Sequence, residues 1–399
     1  MLLLGSGDRR YREYILASLS PVYRLWLLDA EEPTWQQPYL AGATRLDTHD
    51  PHAIAQAGHA VSRTHGPVAG ILCYDEWLVH TCAVAAELLG LPASTPDAIA
   101  ACRDKAVTRQ RLSLAGILQP RSDLVDSAQA AAKAAASIGY PVVVKARSLA
   151  GSIGVRRVDE PADIEAAHTA ASISLPTVAR LDPPVLVEEY LDGPEISIDA
   201  AVTGDDTHFL VLARKQLGLA PYFEETGHTV DARDPLLHDV ELQDQLHRIH
   251  RALSLVNTVT HSEFRLTPRG PRLIEINARL GGDFIPYLGQ LATGIDVARA
   301  AAQLVIGGRP DLRPAARRVA AVRFCYPPGD CEVKQVTVRH RQLPVAIHRA
   351  VVTATPGQIL RLPPRGYLSR YGYLIAVADS IEEVRHALDR SDTLLHLDA

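Results

Sequence analysis

The first hundred residues alternate short apolar runs with stretches of mixed polarity. Residues 1–4, 23–28 and 68–72 are apolar runs of strand length. Residues 9–19 and 81–89 instead place apolar side chains at helical spacing. Alternation of strands and helices predicts a parallel sheet with helices on its faces.

The alternation continues through the rest of the chain. After a turn at 92–97, one helix is predicted to carry Asp104-Lys105 and Arg109. The last eighty-odd residues are predicted to form short strands between Pro/Gly turns, with a final strand and helix. Further predicted helices are 128–138, 162–172, 237–253, 296–306 and 380–389, and further predicted strands are 142–146, 185–189, 195–202, 209–215, 261–266, 272–277 and 373–378.

Composition narrows the classes of protein that the pattern allows. With 399 residues and 47% hydrophobic content, the chain can form two or three domains with a sizeable core. A net charge of -5 argues against a broad basic surface of the kind that binds nucleic acid. The first apolar run is too short for a signal peptide, and the five cysteines are scattered without metal or redox spacing. We therefore expect a cytoplasmic protein without membrane or nucleic-acid partners.

A glycine pair follows the first predicted strand and raises the question of dinucleotide binding. Gly5 and Gly7 match the first two glycines of G-x-G-x-x-G, but Arg10 stands where the third belongs. Arginine cannot give the close approach of helix and strand that the motif requires. The sequence therefore argues against an NAD-dependent dehydrogenase.

Lys145 ends an apolar strand of three valines and precedes a loop rich in serine and glycine. A buried ammonium is costly unless it faces an anion. The loop contains Ser148, Ser152, Gly151 and Gly154, whose hydroxyl and backbone groups suit phosphate oxygens. The alternative is a lysine that reaches solvent from a strand edge. These residues alone leave both readings open.

The segment 184–198 is a strand that is interrupted and then resumes. It passes Glu188 and Leu191, breaks at Gly193-Pro194 and restarts at Glu195. The backbone edge of an interrupted strand can bind a base, and a carboxylate can accept hydrogen bonds from ribose hydroxyls. An acidic hairpin turn is the alternative for any one of these acids.

Three oxygen-bearing side chains lie on two strands predicted to pair across the turn at 267–270. Alternation places Glu275 and Asn277 on one face, and Glu263 lies on the neighbouring strand. Two carboxylates and an amide are ligands suited to Mg²⁺ shared with phosphates. Exposed acids are the alternative, but the mostly apolar strand 273–276 makes an unpaired acid costly. Arg279 follows directly.

In this order and spacing, the motifs resemble the ATP-grasp superfamily over about residues 70–310. The resemblance implies an α/β (α+β) ATP-grasp fold with a Rossmann-like N-terminal domain at 1–100. The ATP-grasp domain would span 101–310, with a lid at about 120–190, and a small α+β domain would span 311–399. ATP would be bound by Lys105, Lys145, Ser148, Ser152, Gly154, Glu188, Leu191 and Glu195.

The resemblance also implies the chemistry of these residues. The two lysines contact phosphates, Glu188 and Leu191 lie at the adenine edge, and Glu195 holds the ribose. Two Mg²⁺ ions, with Mn²⁺ as an alternative, would be coordinated by Glu263, Glu275 and Asn277. Arg279 would stabilise an acyl-phosphate.

Within the superfamily the chain is most similar to the L-amino acid ligases. The similarity rests on the segment 223–228, on His261-Ser-Glu263 and on 279–286. It implies that Glu225 and His228 face amino-acid substrates, with surface-loop positions as the alternative. Lys215 either reaches a phosphate or pairs with Glu224 or Glu225.

The implied activity is ATP-dependent amide-bond formation between a carboxylate and an amine, with a dipeptide as the expected product. Small molecules would be the partners, and a homodimer is the candidate assembly. Two alternatives stay open: another substrate, such as a carrier-protein thiol or bicarbonate, and a nucleotide sensor without turnover.

Overall fold

A computed structural model describes residues 1–172, 181–182 and 184–399. Its N-terminal part contains a four-stranded sheet and five helices. Through residue 114 the elements are β1 (Leu2–Leu4), α1 (Arg9–Leu19), β2 (Trp26–Asp29), β3 (Gly42–Arg45), α2 (Pro51–His65), β4 (Ile71–Leu72), α3 (Val79–Leu88), α4 (Pro96–Arg103) and α5 (Lys105–Leu114).

The N-terminal sheet is parallel, with strand order β3-β2-β1-β4. Its central strand β1 consists of three leucines that are fully buried, because helices cover both faces of such a sheet. The side chain of Asp8 caps α1 by accepting a hydrogen bond from the Arg10 N–H. The predicted parallel α/β arrangement of this region is confirmed.

The prediction of one helix through Asp104 is wrong. Asp104 has extended backbone angles, ends α4 and caps α5 by accepting from the N–H groups of Ala106 and Val107. Aspartate competes for backbone donors in this way, which favours a helix start over a helix interior. The break makes Lys105 the first residue of α5.

A small antiparallel sheet follows, with strand order β5-β8-β6-β7. In β6, Val142 and Val144 are fully buried in the core under the helices of this unit, while Val143 and Lys145 face a cavity. This alternation explains how an apolar strand presents one ammonium group. The elements are β5 (Ser122–Val125), α6 (Ala128–Ile138), β6 (Val142–Ala146), β7 (Arg156–Val158), α7 (Ile164–Ala171) and β8 (Val185–Glu189).

The rest of the chain is built around a large antiparallel sheet. Its elements are β9 (Glu195–Thr203), β10 (Asp206–Gly218), β11 (Glu224–Asp231), α8 (Val240–Ala252), β12 (Thr258–Thr267), β13 (Gly270–Asn277), α9 (Ile285–Thr293), α10 (Val297–Val305), β14 (Val319–Cys325), β15 (Cys331–Glu332), β16 (Gln335–Val338), β17 (Ile347–Val352), β18 (Ile359–Leu360), β19 (Gly372–Ala378), α11 (Ile381–Leu388), α12 (Ser391–Leu394) and β20 (Leu395–Asp398).

The large sheet has the strand order β13-β12-β9-β10-β11-β14-β19-β17. It continues across residue 310, because β11 pairs with β14. The division at that residue therefore stays a prediction. One face packs against α9 and α10 and the N-terminal sheet, and the other packs against α8 and α4. Of the helices in the described residues, none has the length and apolar character needed to span a membrane.

Candidate active site

A cavity of about 210 Å³ lies between the small sheet and the large sheet. It collects side chains from segments far apart in the sequence. Most of the predicted site residues line it: Lys105, Lys145, Ser152, Glu188, Leu191, Glu195, Glu225, Glu263, Glu275, Asn277 and Arg279.

Three of the predicted site residues do not line the cavity. His228 is completely buried behind its wall. Gly154 packs on α7, where a Cβ atom would lie 3.1 Å from the Ala170 carbonyl oxygen. Ser148 directs its carbonyl oxygen towards Arg103 at 3.5 Å. The structure therefore does not bring Gly154 and Ser148 to the cavity, and their contact with ATP stays a prediction.

The predicted pairing of the two acid-bearing strands is confirmed. β12 and β13 are antiparallel neighbours, with Glu263 opposite Glu275 and His261 opposite Asn277. The Asn277 side-chain amide donates to Glu275 Oε1 at 3.3 Å. Both carboxylates line the cavity, where Glu263 Oε1 contacts Lys215 and Glu275 Oε2 contacts Lys105. This donor set fits Mg²⁺ because the ion prefers hard oxygen ligands and keeps positions for phosphate.

Lys215 on β10 is the central cation of the cavity. Its Nζ lies 2.9 Å from Glu195 Oε1, 2.6 Å from Glu225 Oε1 and 2.8 Å from Glu263 Oε1, and its side chain is 1% exposed. Burial alone would lower its pKa, but the three carboxylates hold the pKa well above its ordinary value. The sequence suggested Glu224 or Glu225 as a partner of Lys215, and the structure shows the contact with Glu225.

His261 lies behind Glu263 and contacts two carboxylates. Its Nδ1 lies 2.7 Å from Asp199 Oδ1, and its Nε2 lies 3.3 Å from Glu263 Oε1. Burial opposes protonation, but these carboxylates raise the pKa of His261 to about 9. The Gly281 N–H donates to Asp199 Oδ2 at 3.1 Å, and a Cβ at Gly281 would lie 2.9 Å from both Asp199 oxygens. A side chain at position 281 would therefore have to displace the Asp199 carboxylate.

Lys145 and Arg109 enclose Glu188. Lys145 Nζ lies 2.5 Å from Glu188 Oε2, and Arg109 Nε donates to Glu188 Oε1 at 2.8 Å. Burial would raise the pKa of Glu188, but the two cations hold it at about 2. The carboxylate is thus fully engaged in this structure. Sequence analysis placed Arg109 on a helix without assigning this contact.

Replacing Glu188 with glutamine should lower the free energy of unfolding by about 3 kcal/mol at pH 7, because two cations lose their buried partner. The folded-state pKa of about 2 lies below the ordinary 4.5, so the stabilisation is present above pH 4.5. It is lost as pH falls towards 2. Urea unfolding of both proteins at pH 7 and pH 4 measures the difference. If the free energies of unfolding of the two proteins differed by less than about 1 kcal/mol, and by the same amount at both pH values, the assignment would be contradicted.

Lys105 joins the serine–glycine loop to the metal-type acids. Its Nζ donates to the Leu149 carbonyl oxygen at 2.6 Å and lies 3.3 Å from Glu275 Oε2. The Ser152 hydroxyl donates to the Phe223 carbonyl oxygen at 2.8 Å. In this structure the loop is thereby linked to β13 and to the segment before β11.

Arg279 is positioned by an acid that sequence analysis did not assign. Its Nε lies 2.5 Å from Glu76 Oε2, and Arg103 contacts the other oxygen of Glu76. Burial would raise the pKa of Glu76, but Arg279 and Arg103 lower it. Glu76 follows the parallel strand β4, and the carboxyl ends of parallel strands are where ligand sites gather, so its position was a usable signal.

A second charged group borders the cavity near Glu225. Glu225, His228 and Asp283 bring ligand-type atoms within 4.8 Å of one another. Burial opposes protonation of His228, but the two carboxylates raise its pKa. Arg370 contacts Asp283 and Lys215 contacts Glu225, so both acids already have cationic partners.

Residues 138–287 match the family described as the ATP-grasp domain. An uncharacterized protein, y4rH, of Sinorhizobium fredii is 30% identical over 316 residues, covering 78% of this chain and 64% of that protein. A D-alanine--D-alanine ligase of Paracidovorax citrulli is 27% identical, covering 78% of this chain and 90% of the ligase. The chain spans only 30% of the length of a similar carnosine synthase of Gallus gallus. It spans 28% of the length of a similar carbamoyl phosphate synthase large chain of Kineococcus radiotolerans.

The fold is similar to that of a solved L-amino acid ligase from Bacillus licheniformis. The TM-score is 0.81 at 21% identity, and the alignment covers 100% of this chain and 98% of that one. Residues 138–287 therefore match the ATP-grasp domain, and the chain shares its whole fold with a solved L-amino acid ligase. The predicted fold class is confirmed.

Proposed function

We propose that the chain is an ATP-dependent carboxylate–amine ligase that forms an amide bond, with a dipeptide as its product. A carboxylate oxygen attacks the γ-phosphorus of ATP, the bond to the β-phosphate oxygen breaks, and ADP leaves. The amine nitrogen then attacks the carbonyl carbon of the acyl-phosphate. Phosphate leaves with one oxygen of the carboxylate, and the nitrogen loses a proton. Phosphorylation is needed because a carboxylate has no good leaving group.

One observation carries this proposal: a single cavity brings together acids suited to Mg²⁺, three lysines and two arginines. Glu263, Glu275 and Asn277 lie on one side, and Lys105 bridges from Glu275 to the serine–glycine loop. Phosphoryl transfer requires positioning and charge stabilisation more than covalent chemistry from the protein. These groups supply both. The similarity to a D-alanine--D-alanine ligase and the fold of an L-amino acid ligase support the same conclusion.

The proposed roles follow the positions in the cavity. Glu263, Glu275 and Asn277 would hold two Mg²⁺ ions, which would neutralise charge on the phosphates. Lys105 and Lys145 bind phosphate oxygens, and Glu195 accepts from the ribose hydroxyls. Because Lys145 contacts Glu188 and Lys215 contacts Glu195 here, bound ATP would compete for these contacts.

The substrate side of the cavity is assigned to a different set of groups. Arg279, held by Glu76, stabilises the negative charge of the acyl-phosphate and of the tetrahedral species. Glu225 binds a substrate ammonium group. His228 supports Glu225 from behind, with its Nε2 3.0 Å from Glu225 Oε2. The loop at 148–154 closes over the reaction and limits hydrolysis of the intermediate.

The proposal is tested by measuring ADP release with Mg²⁺ across a panel of amino acids, singly and in pairs. We expect ADP formation that depends on a particular pair, together with a product mass equal to the pair minus water. ATP binding without turnover on any pair would contradict dipeptide formation. A second panel with bicarbonate and thiol acceptors would then separate a different ligase from a nucleotide-binding sensor.

A further inference from the structure

One apolar side chain in the cavity wall comes from the C-terminal region. Leu368 lines the cavity together with Gly151, Asp283 and Ile285, and 43% of its surface is exposed. Its φ angle is 55°, in the left-handed region. A leucine pays roughly 1 kcal/mol for this conformation and keeps it only where the surroundings fix it.

Buried polar groups hold the backbone of Leu368. Its N–H donates to both carboxylate oxygens of Glu224, each at 3.3 Å, and Glu224 is fully buried. The Tyr326 hydroxyl donates to Glu224 Oε2 at 2.8 Å, and Arg370 Nε donates to the Tyr326 oxygen at 2.9 Å. The backbone of the strained residue is therefore anchored by Glu224, which Tyr326 holds in turn.

The same segment also contacts the substrate side of the cavity. Arg370 donates to the two oxygens of Asp283 at 2.8 and 2.6 Å and to the Glu225 carbonyl oxygen at 3.1 Å. Its guanidinium lies 3.7 Å from the centre of the Phe324 ring, and its side chain is 4% exposed. The position of Leu368 is thus tied to Glu225 and Asp283.

Leu368 also meets the serine–glycine loop. A Cβ atom on Gly151 would lie 3.3 Å from Leu368 Cδ1, so the two residues are in close contact. Leu368 therefore contacts this loop and lines the same cavity as the acids Glu225 and Asp283. An apolar group beside charged ones is the arrangement that binds the side chain of a ligand while its polar groups are held nearby.

We propose that Leu368 determines specificity by forming the wall against which the side chain of an amino-acid substrate packs. Leu368 and Ile285 are both apolar lining residues of this cavity, so the wall favours an aliphatic side chain. The inference rests on the proposed function, because it takes Glu225 and Asp283 as the polar end of the same substrate.

The test compares Leu368→Ala, which enlarges the space, with Leu368→Phe, which reduces it. Binding of glycine, alanine, leucine and phenylalanine is measured by calorimetry with ADP and Mg²⁺ present, and kcat/KM is measured for active pairs. We expect Leu368→Ala to raise the preference for leucine over alanine by about 10-fold or more, as expected for a change of several carbons in an apolar pocket. Leu368→Phe should change the preference in the opposite direction.

Ile359→Ala is the matched control, because Ile359 is 60% exposed in the same region and does not line the cavity. Each Leu368 variant has its own expected direction, so one folded variant decides the question. Unchanged selectivity in a folded variant, or failure of all four amino acids to bind the wild type, would overturn the inference. Selective binding that shifts as expected in a protein without turnover would support the wall and contradict the ligase.

Discussion

Replacing Glu275 with glutamine should reduce amino-acid-dependent ADP formation by roughly 1000-fold or more, which exceeds the 10–100-fold cost of losing an outer-shell metal partner. Glu275 faces Glu263 across the strand pair, accepts from Asn277 and lies 3.3 Å from Lys105 Nζ. Glutamine keeps the shape but removes the charge that the proposed Mg²⁺ site requires. Steady-state kinetics at saturating ATP and Mg²⁺ provide the measurement.

The matched control for this change is Glu332→Gln. Glu332 is an exposed acid in β15 and does not line the cavity, so its replacement should leave the rate unchanged. Thermal unfolding of each variant shows whether lost activity reflects lost structure. A folded Glu275→Gln protein with nearly wild-type kcat would show that Glu275 has no metal role.

Replacing Lys215 with methionine should lower the free energy of unfolding by about 5 kcal/mol, the upper end for breaking a buried ion pair. The reason is that one ammonium, 1% exposed, contacts three carboxylates at 2.6 to 2.9 Å. Methionine preserves most of the volume but leaves Glu195, Glu225 and Glu263 without their shared cation. Urea unfolding at pH 7 measures this change.

Lys334→Met makes the same substitution at an exposed lysine whose Nζ donates to the Ala399 carbonyl oxygen. Its effect should lie within about 0.5 kcal/mol of zero. If Lys215→Met unfolds at the same urea concentration as Lys334→Met, the three contacts do not stabilise the fold.

The parts of the fold that sequence predicted well are those whose pattern is local. The boundaries of β6 and α6 follow from an apolar run and an alanine-rich stretch separated by Gly139-Tyr140-Pro141. The pairing of β12 with β13 follows from the turn between them, and it brought Glu263 opposite Glu275.

β11 was not predicted, because its sequence, EETGHTVD, lacks an apolar alternation. It is a strand because β10 and β14 pair with it on both sides, so neighbours outweigh local preference. That pairing also places Lys215 opposite His228, which brings the lysine to the acids.

The side chains that position the site were hidden for a related reason. Glu76 contacts Arg279 and Asp283 contacts Arg370, although each pair is far apart in the chain. No spacing within one segment reveals such contacts. They depend on how the N-terminal sheet, the large sheet and the C-terminal strands pack together.

The acyl-phosphate route can be followed by its oxygen. A carboxylate substrate labelled with ¹⁸O is incubated with ATP, Mg²⁺ and an amine that supports ADP formation, and the released phosphate is examined by mass spectrometry. The account predicts one ¹⁸O atom in each phosphate, because the carboxylate oxygen stays on phosphorus when the amine displaces it. Unlabelled phosphate formed together with the amide would contradict the route through an acyl-phosphate.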